Sequence, residues 1–455
     1  MNHSRQYWGC NMSTIFEELN ENIAALNEEK TLLKSGFESK GVDMTDVPFT
    51  QYHKKFDEIQ TGSGEDRLQW KCDNMKTLYY EYYGYKGTET PPVKGLDTSQ
   101  VVNMSSVFTK CSNITELDVS SFNTENVTEM SQLFQECSKL TNLNVKNFDT
   151  SNVTKMNYMF RECSALTNLD LTNFNTSKVT TMSYMFYGCV NLTDLNLSSF
   201  NTGNVSDMSY TFGDCTSLSN LDLSSFDFSK VTTTYSMFNN CKNLTSLNIG
   251  NFNNNNRITM YNMFRYCNKL ENLDLSSFNV SNVTNTNSMF ESCKLLTSLD
   301  FSSFDTSNAT DMNYMFSGCS NLETVSNINV LSASNLTYIF SNCTSLKNLT
   351  IYNVKKSLRL ALGSSYGTLL TLDSLVHTIK ELWDLTGTSS QTLTLSPESK
   401  NLIADVYVKL VDVTEEMLEQ DQYAANKKPC VVCESTDEGS MLITEYLTSK
   451  NWKLA

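Results

Sequence analysis

Cysteine has the most reactive side chain in this sequence, and ten of the fourteen cysteines recur at a nearly constant spacing. Such residues could form disulfides, bind a metal ion or act as nucleophiles. A thiol that recurs with the period of the fold is more typical of a small buried hydrophobic side chain. We therefore expect buried thiols, with disulfides between neighbouring repeats as the alternative. Successive members are 26 residues apart, except for a last step of 24: Cys111, Cys137, Cys163, Cys189, Cys215, Cys241, Cys267, Cys293, Cys319 and Cys343.

Other residues with catalytic or metal-binding potential are few and scattered. The three histidines, His3, His53 and His377, lie in different parts of the chain and give no candidate for a Ser-His-Asp or Cys-His centre. Cys430-Val-Val-Cys433 is a single C-x-x-C pair without a second pair or a nearby histidine, which is weak evidence for zinc. No phosphate-binding glycine motif is present. We expect no enzymatic activity, no metal site and no cofactor.

Two series of phenylalanines share the cysteine spacing. Self-similarity with a period of 20 to 29 residues is the signature of leucine-rich-type solenoids. The first series is Phe122, Phe148, Phe174, Phe200, Phe226, Phe252, Phe278 and Phe304. The second is Phe108, Phe134, Phe160, Phe186, Phe212, Phe238, Phe264, Phe290, Phe316 and Phe340.

One repeat unit contains two patterns with an apolar face. Leu166, Leu169 and Leu171 follow L-x-x-L-x-L, and the alternation around Asp170 predicts a short half-buried strand. A second pattern follows at spacings i, i+3, i+4 and i+7, which predict a short helical segment with one apolar face. Its members are Met182, Met185, Phe186 and Cys189.

Neither element can bury its apolar face alone, so the copies must stack. The sequence predicts an α/β repeat solenoid of the leucine-rich-repeat type with a 26-residue period. It occupies residues 97–354 and has about ten units. Residues 61–96 are assigned as a linker and aromatic-rich N-terminal cap, and residues 355–455 as a small α+β C-terminal cap. The latter includes a predicted strand at 392–395.

Residues 1–60 are predicted to form a helical module for attachment or oligomerisation. Five apolar residues follow alternating spacings of three and four, with Lys30 filling one core position, which fits a short coiled coil or one helix of a helical hairpin. The module would bind other virion proteins and make the protein a homo-oligomer, either a trimer or a dimer. The five residues are Phe16, Leu19, Ile23, Leu26 and Leu33.

Two ladders of polar and aromatic residues are candidate binding surfaces. In successive repeats, the residue that faces outward from the strand alternates between Asp and Asn for most of the series, which relieves repulsion between like charges. This pattern fits a hydrogen-bonding ladder or a groove for a cation or glycan. A flat repeat face offers no pocket to separate two carboxyl pKa values, so a glycosidase is disfavoured. The acidic members of this Asp/Asn ladder are Asp118, Asp170, Asp222, Asp274 and Asp300.

The second ladder is aromatic. Exposed tyrosines are enriched in binding surfaces, although these tyrosines could instead pack on one another between repeats. Three other repeats have Ser236, Asn262 and Ser288 at the equivalent position. The members of the ladder are Tyr158, Tyr184, Tyr210, Tyr314 and Tyr338.

Charge and hydropathy exclude further classes of partner. The formal net charge is −16, which disfavours nucleic acid and anionic lipid surfaces. No apolar run is long enough for a membrane span, and the first ten residues lack the apolar core of a signal peptide. The chain is therefore expected to be made in a cytosol, and residues 1–11 to be an appendage before Met12.

The unit from Asp149 to Cys163 resembles the BspA-like leucine-rich-repeat family of bacterial surface proteins. The family's order of residues recurs over residues 97–354, namely Phe, Val, Met, Met-Phe, Cys and the leucines. Thr234 and Thr286 depart from it at the first Met position. This resemblance implies adhesion to host or matrix macromolecules through the repeat face.

Residues 38–52 are similar to the N-terminal segment of tail and fibre proteins of tailed bacteriophages. Residues 371–395 and 446–455 are similar to the ends of repeat proteins found in such phages. These resemblances imply a virion fibre or appendage protein that recognises a glycan or protein of the host bacterial surface. A BspA-type adhesin at the bacterial cell surface and a purely structural virion component are the alternatives.

Overall fold

The structure is a computed structural model, which describes residues 76–354 apart from 335 and 337, with shorter pieces on either side. The N-terminal pieces are 30–31, 34–35, 38, 44–45, 68–69 and 71–73. The C-terminal pieces are 360–362, 370–371, 374–375, 378–379, 391–395, 400, 407–411, 430–433, 441–450 and 452–454.

The repeats wind into a β-solenoid of about nine turns with a period of about 26 residues. This confirms the predicted solenoid and its period. Most strands are two or three residues long and pair in parallel with a neighbouring turn of the solenoid, here called a coil. In chain order they are β1 (Glu116–Leu117), β2 (Asn142–Leu143), β3 (Asn220–Asp222), β4 (Ser246–Asn248), β5 (Ile258–Thr259), β6 (Val283–Asn285), β7 (Ser298–Asp300), β8 (Thr324–Asn329) and β9 (Asn348–Tyr352).

Most of the parallel pairing follows two lines along the solenoid. The pairs β1–β2, β3–β4 and β7–β8–β9 lie at the leucine positions, as the L-x-x-L-x-L pattern predicted. The second line lies just before the first Met position, where no strand was predicted from the sequence. It starts within the segment assigned as the N-terminal cap and continues into the β5–β6 pair. Before that pair it consists of single-residue bridges that join Thr77, Asn103, Glu129, Lys155, Thr181, Asp207, Thr233 and Thr259 in succession.

The predicted helical segment in each unit is wrong. The equivalent segment one coil before Met182 shows why. It forms successive turns instead of a helix, because Tyr158 and Glu162 have φ of 61° and 58°. The N–H groups of Tyr158 and Phe160 donate to carbonyl oxygens of the next coil at 2.9 Å, whereas those of Met159 and Arg161 donate three residues back. A helix directs every N–H to its own chain four residues back. These turns use half of their donors to join coils, so the fold is a β-solenoid and not an α/β one.

The core is a column of stacked rings beside a column of thiols. The phenylalanines of the second series, from Phe108 to Phe340, stack with centroids 5.3 to 5.8 Å apart, and Tyr82 continues the column at one end. Each cysteine from Cys137 to Cys343 donates its thiol to a phenylalanine carbonyl of the preceding coil at 3.0 to 3.2 Å. Burial raises the pKa of the Cys189 thiol to about 12. The prediction of buried, unbridged thiols is confirmed for these nine cysteines and for Cys111.

Buried threonines join neighbouring coils on another side of the core. Thr176 is fully buried, and its hydroxyl donates to the Asn201 carbonyl at 2.8 Å while it accepts the Asn201 N–H at 2.8 Å. One hydroxyl therefore satisfies both backbone groups of a residue in the next coil. The same pair of bonds is made by Thr98, Thr124, Thr150, Thr202 and Thr306.

Residues after the solenoid form short strands and a helix. Ser374 Oγ accepts the N–H of Leu349 in the last coil at 2.9 Å, which satisfies a donor at the end of the array. The predicted strand at 392–395 is present as β11. The elements are β10 (Leu360–Leu362), β11 (Gln391–Leu395), β12 (Tyr407–Val411), β13 (Cys430–Cys433), β14 (Met441–Leu442), α1 (Ile443–Ser449) and β15 (Trp452–Leu454). The strands β10, β11 and β15 pair in parallel, and β12 pairs antiparallel with β13 and β14.

Replacing a ring in the middle of the phenylalanine column tests how far the solenoid depends on it. Phe186→Ala should lower the free energy of unfolding by about 3–5 kcal/mol, because it leaves a cavity between two rings. Urea denaturation followed by circular dichroism measures this change. Ser198→Ala, at an exposed position, is the control. A loss of less than about 1 kcal/mol for Phe186→Ala would show that the column is not a main source of stability.

The threonine ladder gives a second stability prediction. Thr176→Val keeps the shape of the side chain but removes both hydrogen bonds to Asn201, so unfolding should become easier by about 1–3 kcal/mol. Thr176→Ser keeps the hydroxyl and should recover most of that loss. Thermal denaturation of both variants provides the comparison, and equal stability of the two would contradict the assigned role of the hydroxyl.

Candidate functional site: two exposed ladders

Six tyrosines form a continuous surface patch, here called the tyrosine strip. Tyr158 and Tyr184 stack with centroids 4.8 Å apart, and Tyr184 and Tyr210 stack at 4.5 Å. The line continues through Tyr235, whose hydroxyl lies 2.9 Å from the Tyr210 hydroxyl. It ends at Tyr261, whose ring stacks on Tyr235 with centroids 5.1 Å apart. The sixth member is Tyr187, beside the line. The structure thus brings together three of the five tyrosines predicted from the sequence.

The backbone explains why these rings lie outside the core. Tyr158, Tyr184 and Tyr210 all have φ between 54° and 61°, a conformation that directs their side chains away from the adjacent Met and Phe residues. The rings are partly buried against one another. Mutual packing and a role as a binding surface are therefore compatible, since tyrosines that pack between coils also form an ordered surface.

Tyr187 fits beside the strip because the next coil has a glycine at the equivalent position. Its ring packs edge-on against Tyr184 and Tyr210, with centroids 5.4 and 5.5 Å away. A Cβ at Gly213 would lie 3.1 Å from the Tyr187 ring and 3.0 Å from the Tyr210 ring, so any side chain there would crowd both. The Arg161 guanidinium lies 5.6 Å from the centre of the Tyr187 ring. Together these contacts fix the ring in one orientation.

The phenols of Tyr184, Tyr187 and Tyr235 stay neutral over the physiological range. Burial raises the pKa of Tyr184, Tyr187 and Tyr235 above the ordinary value, and neighbouring tyrosines add to the shift at Tyr184. A neutral phenol both donates and accepts hydrogen bonds. The strip therefore presents ring edges and hydroxyls to a partner.

Sequence reasoning missed three members of the strip. Tyr187, Tyr235 and Tyr261 lie outside the register of the predicted series, because Tyr235 and Tyr261 stand one residue before the position that Tyr210 occupies. A search for any tyrosine within a few residues of the register would have found them. The two remaining predicted tyrosines, Tyr314 and Tyr338, stack on each other at 4.9 Å and are 37% and 40% exposed.

The Asp/Asn ladder lies exposed along the leucine strands. Each carboxylate of Asp118, Asp170, Asp222, Asp274 and Asp300 accepts the N–H of the residue two positions later, at 2.8 to 3.1 Å. The asparagines between them, such as Asn196, accept the same bond through Oδ1. Asp and Asn alternate freely because either supplies the oxygen that this turn requires.

The same bonds keep the ladder acidic. Hydrogen bonds from Thr172 and Lys146 lower the pKa of Asp170 to about 2, with Lys146 Nζ 3.0 Å from the carboxylate. Hydrogen bonds from Ser120 lower the pKa of Asp118, and backbone N–H donors do so at Asp222 and Asp274. The face is therefore a row of carboxylates that alternate with amides from Asp118 to Asp274, with Asp300 directly after Asp274.

The predicted attachment module remains without a structural test. Phe16, Leu19, Ile23, Leu26 and Leu33 lie outside the described residues, so the attachment module stays a prediction. Within the part of the chain that the structure describes, no helix is both long and apolar enough to cross a membrane.

A family model and several solved structures show similarity to this chain. A family model described as "Mycoplasma protein of unknown function, DUF285" matches residues 50–168, 159–273 and 258–360. A search of curated proteins found no match. A leucine-rich repeat protein from Bacteroides ovatus is 18% identical, with 65% of this chain and 72% of that chain covered and a TM-score of 0.34. A leucine rich cell surface protein from Faecalibacterium prausnitzii is 17% identical, with coverages of 60% and 82% and a TM-score of 0.32.

The three matched segments together span residues 50–360, which is more than half of the chain. The repeat part of the predicted BspA-like resemblance is thereby confirmed, whereas the phage resemblance of the flanking segments stays a prediction. The chain belongs to the DUF285 family of repeat proteins.

Proposed function

We propose that the protein is a virion fibre or appendage component that recognises a bacterial surface through its repeats. The main supporting observation is the tyrosine strip, a set of aromatic side chains already ordered by mutual stacking. Rigid tyrosines give a large contact area at little entropic cost when a partner binds. The partner is a glycan or protein of the host surface.

The virion context rests on the resemblance of residues 38–52 and 446–455 to phage proteins. In this proposal residues 1–60 attach the protein to other virion proteins and hold it as a dimer or trimer, and the solenoid extends outward. Locating the protein in purified particles by immunogold labelling tests this placement. Its absence from particles encoded by the same genome would contradict it.

A BspA-type adhesin at the bacterial cell surface is the second candidate, and membership of the DUF285 family favours it. Both proteins would bind through the repeats, so binding alone does not separate them. The neighbouring genes do, since tail or capsid genes favour the virion protein and a bacterial surface locus favours the adhesin.

Cell binding by the full chain tests recognition directly. The labelled protein is mixed with a panel of bacterial strains, and the fraction that sediments with the cells is measured. The triple variant Tyr158→Ser, Tyr184→Ser and Tyr210→Ser should reduce binding at least about tenfold, because buried aromatic contacts dominate most interfaces. Serine is chosen because the chain itself uses it at the equivalent positions 236 and 288.

A variant of the other ladder serves as the matched control. Asp118→Asn, Asp170→Asn and Asp222→Asn keep the turn hydrogen bonds and remove only charge, so binding through the tyrosine strip should persist. If the folded tyrosine variant bound cells as the wild type does, the strip would not be the contact surface. A wild type that binds no strain would favour the purely structural virion component.

A further inference from the structure

The tyrosine strip is the middle one of three tyrosine groups on the same column of the solenoid. Tyr80 stands in the first coil, in the register that leads to Tyr158, and its ring stacks on Tyr83 with centroids 4.7 Å apart. Tyr314 and Tyr338 form the corresponding pair in the last coils. The residues of these two end pairs are 37% to 43% exposed, whereas the rings of the strip are partly buried. Both ends of the column therefore present tyrosine rings to the solvent.

The register of the coils gives the distance between the two end pairs. Parallel pairing links equivalent residues without a break from Thr77 to Asp311. Tyr80 and Tyr314 each lie three residues further along the chain, nine coil steps apart, and Tyr338 lies one step beyond. At the spacing of paired strands, the whole column is about 48 Å long.

This length exceeds what a compact partner covers. A standard protein interface buries about 800 Å² on each partner, which corresponds to a patch roughly 30 Å across. A partner that contacts both end pairs must therefore extend about 48 Å along the solenoid. The three groups present the same side chain on the same column, so they suit a partner that repeats one chemical unit along its length.

The charges near the column disfavour a polyanion. The Arg161 guanidinium is paired with the carboxylates of Glu136 and Glu162, at 3.4 and 2.5 Å. The Arg265 guanidinium is paired with the Glu291 carboxylate at 2.9 Å. Arginines that are already paired attract phosphates and sugar acids only weakly, and the net charge of −16 repels them. Nucleic acid and acidic polysaccharides are therefore poor partners for this face.

The backbone disfavours an extended polypeptide. Peptides that bind lengthwise commonly pair with an exposed strand edge through main-chain hydrogen bonds. Along this column the N–H groups of Tyr158, Tyr184 and Tyr210 donate to carbonyl oxygens of the next coil at 2.8 to 2.9 Å, so they are used within the solenoid. Sugar rings need no strand edge, because their C–H groups pack on aromatic rings and their hydroxyls form hydrogen bonds with phenols.

We propose that the protein binds a linear, uncharged polysaccharide lengthwise along the tyrosine column from Tyr80 to Tyr338. The inference rests on the proposed function and specifies the chemical class of the recognised surface molecule and the direction in which it lies. The tyrosine strip holds the middle of the polysaccharide chain, and the two end pairs hold the segments on either side. Linked contacts of this kind raise the affinity for a long chain and leave that for a short fragment unchanged.

Removing each end pair tests the inference with residues that the solenoid already accepts. The first variant carries Tyr80→Ser and Tyr83→Thr, the residue types that the next coil has at positions 106 and 109. The second carries Tyr314→Ser and Tyr338→Ser, with the residue type found at position 288. Val102→Thr is the matched control, because Val102 is 39% exposed, lies outside the tyrosine column and is replaced by threonine in the next coil. Thermal denaturation of all variants verifies folding.

Binding is measured with the full chain and two probes from a strain that it recognises. One is envelope fragments, untreated or digested with protease, and the other is uncharged envelope polysaccharide, intact or partly hydrolysed and separated by size. We expect wild type and Val102→Thr to bind intact polysaccharide equally, and each end-pair variant to bind it at least about tenfold more weakly. Fragments no longer than the strip, about 19 Å, should bind the strip of all four proteins with the same affinity.

The outcomes separate this inference from the proposed function. If either folded end-pair variant binds intact polysaccharide as the wild type does, the lengthwise arrangement is wrong although surface recognition stands. If the wild type binds untreated envelope fragments but neither protease-digested fragments nor the polysaccharide, the ligand class is wrong and surface recognition again stands. If the wild type binds neither cells nor envelope fragments of any strain, the proposed function itself fails, and this inference fails with it.

Discussion

The structure depends on a single constraint, which is that each residue of a coil meets its equivalent in the next coil, 26 positions later over most of the solenoid and 24 positions later in its last step. The bridges from Thr77 to Thr259 keep this register over eight successive coils. A residue type that satisfies its neighbours in one coil therefore satisfies them in the next. Buried Thr176 and its equivalents illustrate this, because each hydroxyl bonds both backbone groups of a residue in the following coil. The repeated sequence is a consequence of repeated hydrogen bonding.

The same register makes the surface regular. Side chains that point outward stand in columns at the spacing of paired strands, so tyrosines in successive coils stack without any further device. Tyr184 is held between Tyr158 and Tyr210 in this way. Mutual packing and recognition are therefore not opposed for these residues. Packing orders the rings before a partner arrives, which lowers the entropic cost of binding.

The sequence predicted the period, the buried phenylalanines and thiols, and the leucine strands, because each depends on a side chain that recurs in register. It predicted a helix between Met182 and Cys189 wrongly. Consecutive turns containing residues with positive φ also bring positions i, i+3, i+4 and i+7 to one side, and a pattern of apolar residues does not distinguish them from a helix. Tyr235 and Tyr261 were missed because a ring can reach the strip from the neighbouring position.

Equivalent positions in successive coils differ in how many residue types they accept. Positions that accept one or two types maintain the fold, whereas the variable positions are available for recognition. The Asp/Asn column accepts two residue types because both provide the turn oxygen, and the cysteine column accepts one. The column that begins at Tyr80 is far more varied, because backbone hydrogen bonds join every coil there and side-chain contacts, such as the Ser106–Gln132 hydrogen bond, differ from coil to coil. Because the residue types in this column vary, different stretches of the solenoid can differ in what they bind. Its members are Tyr80, Ser106, Gln132, Tyr158, Tyr184, Tyr210, Ser236, Asn262, Ser288 and Tyr314.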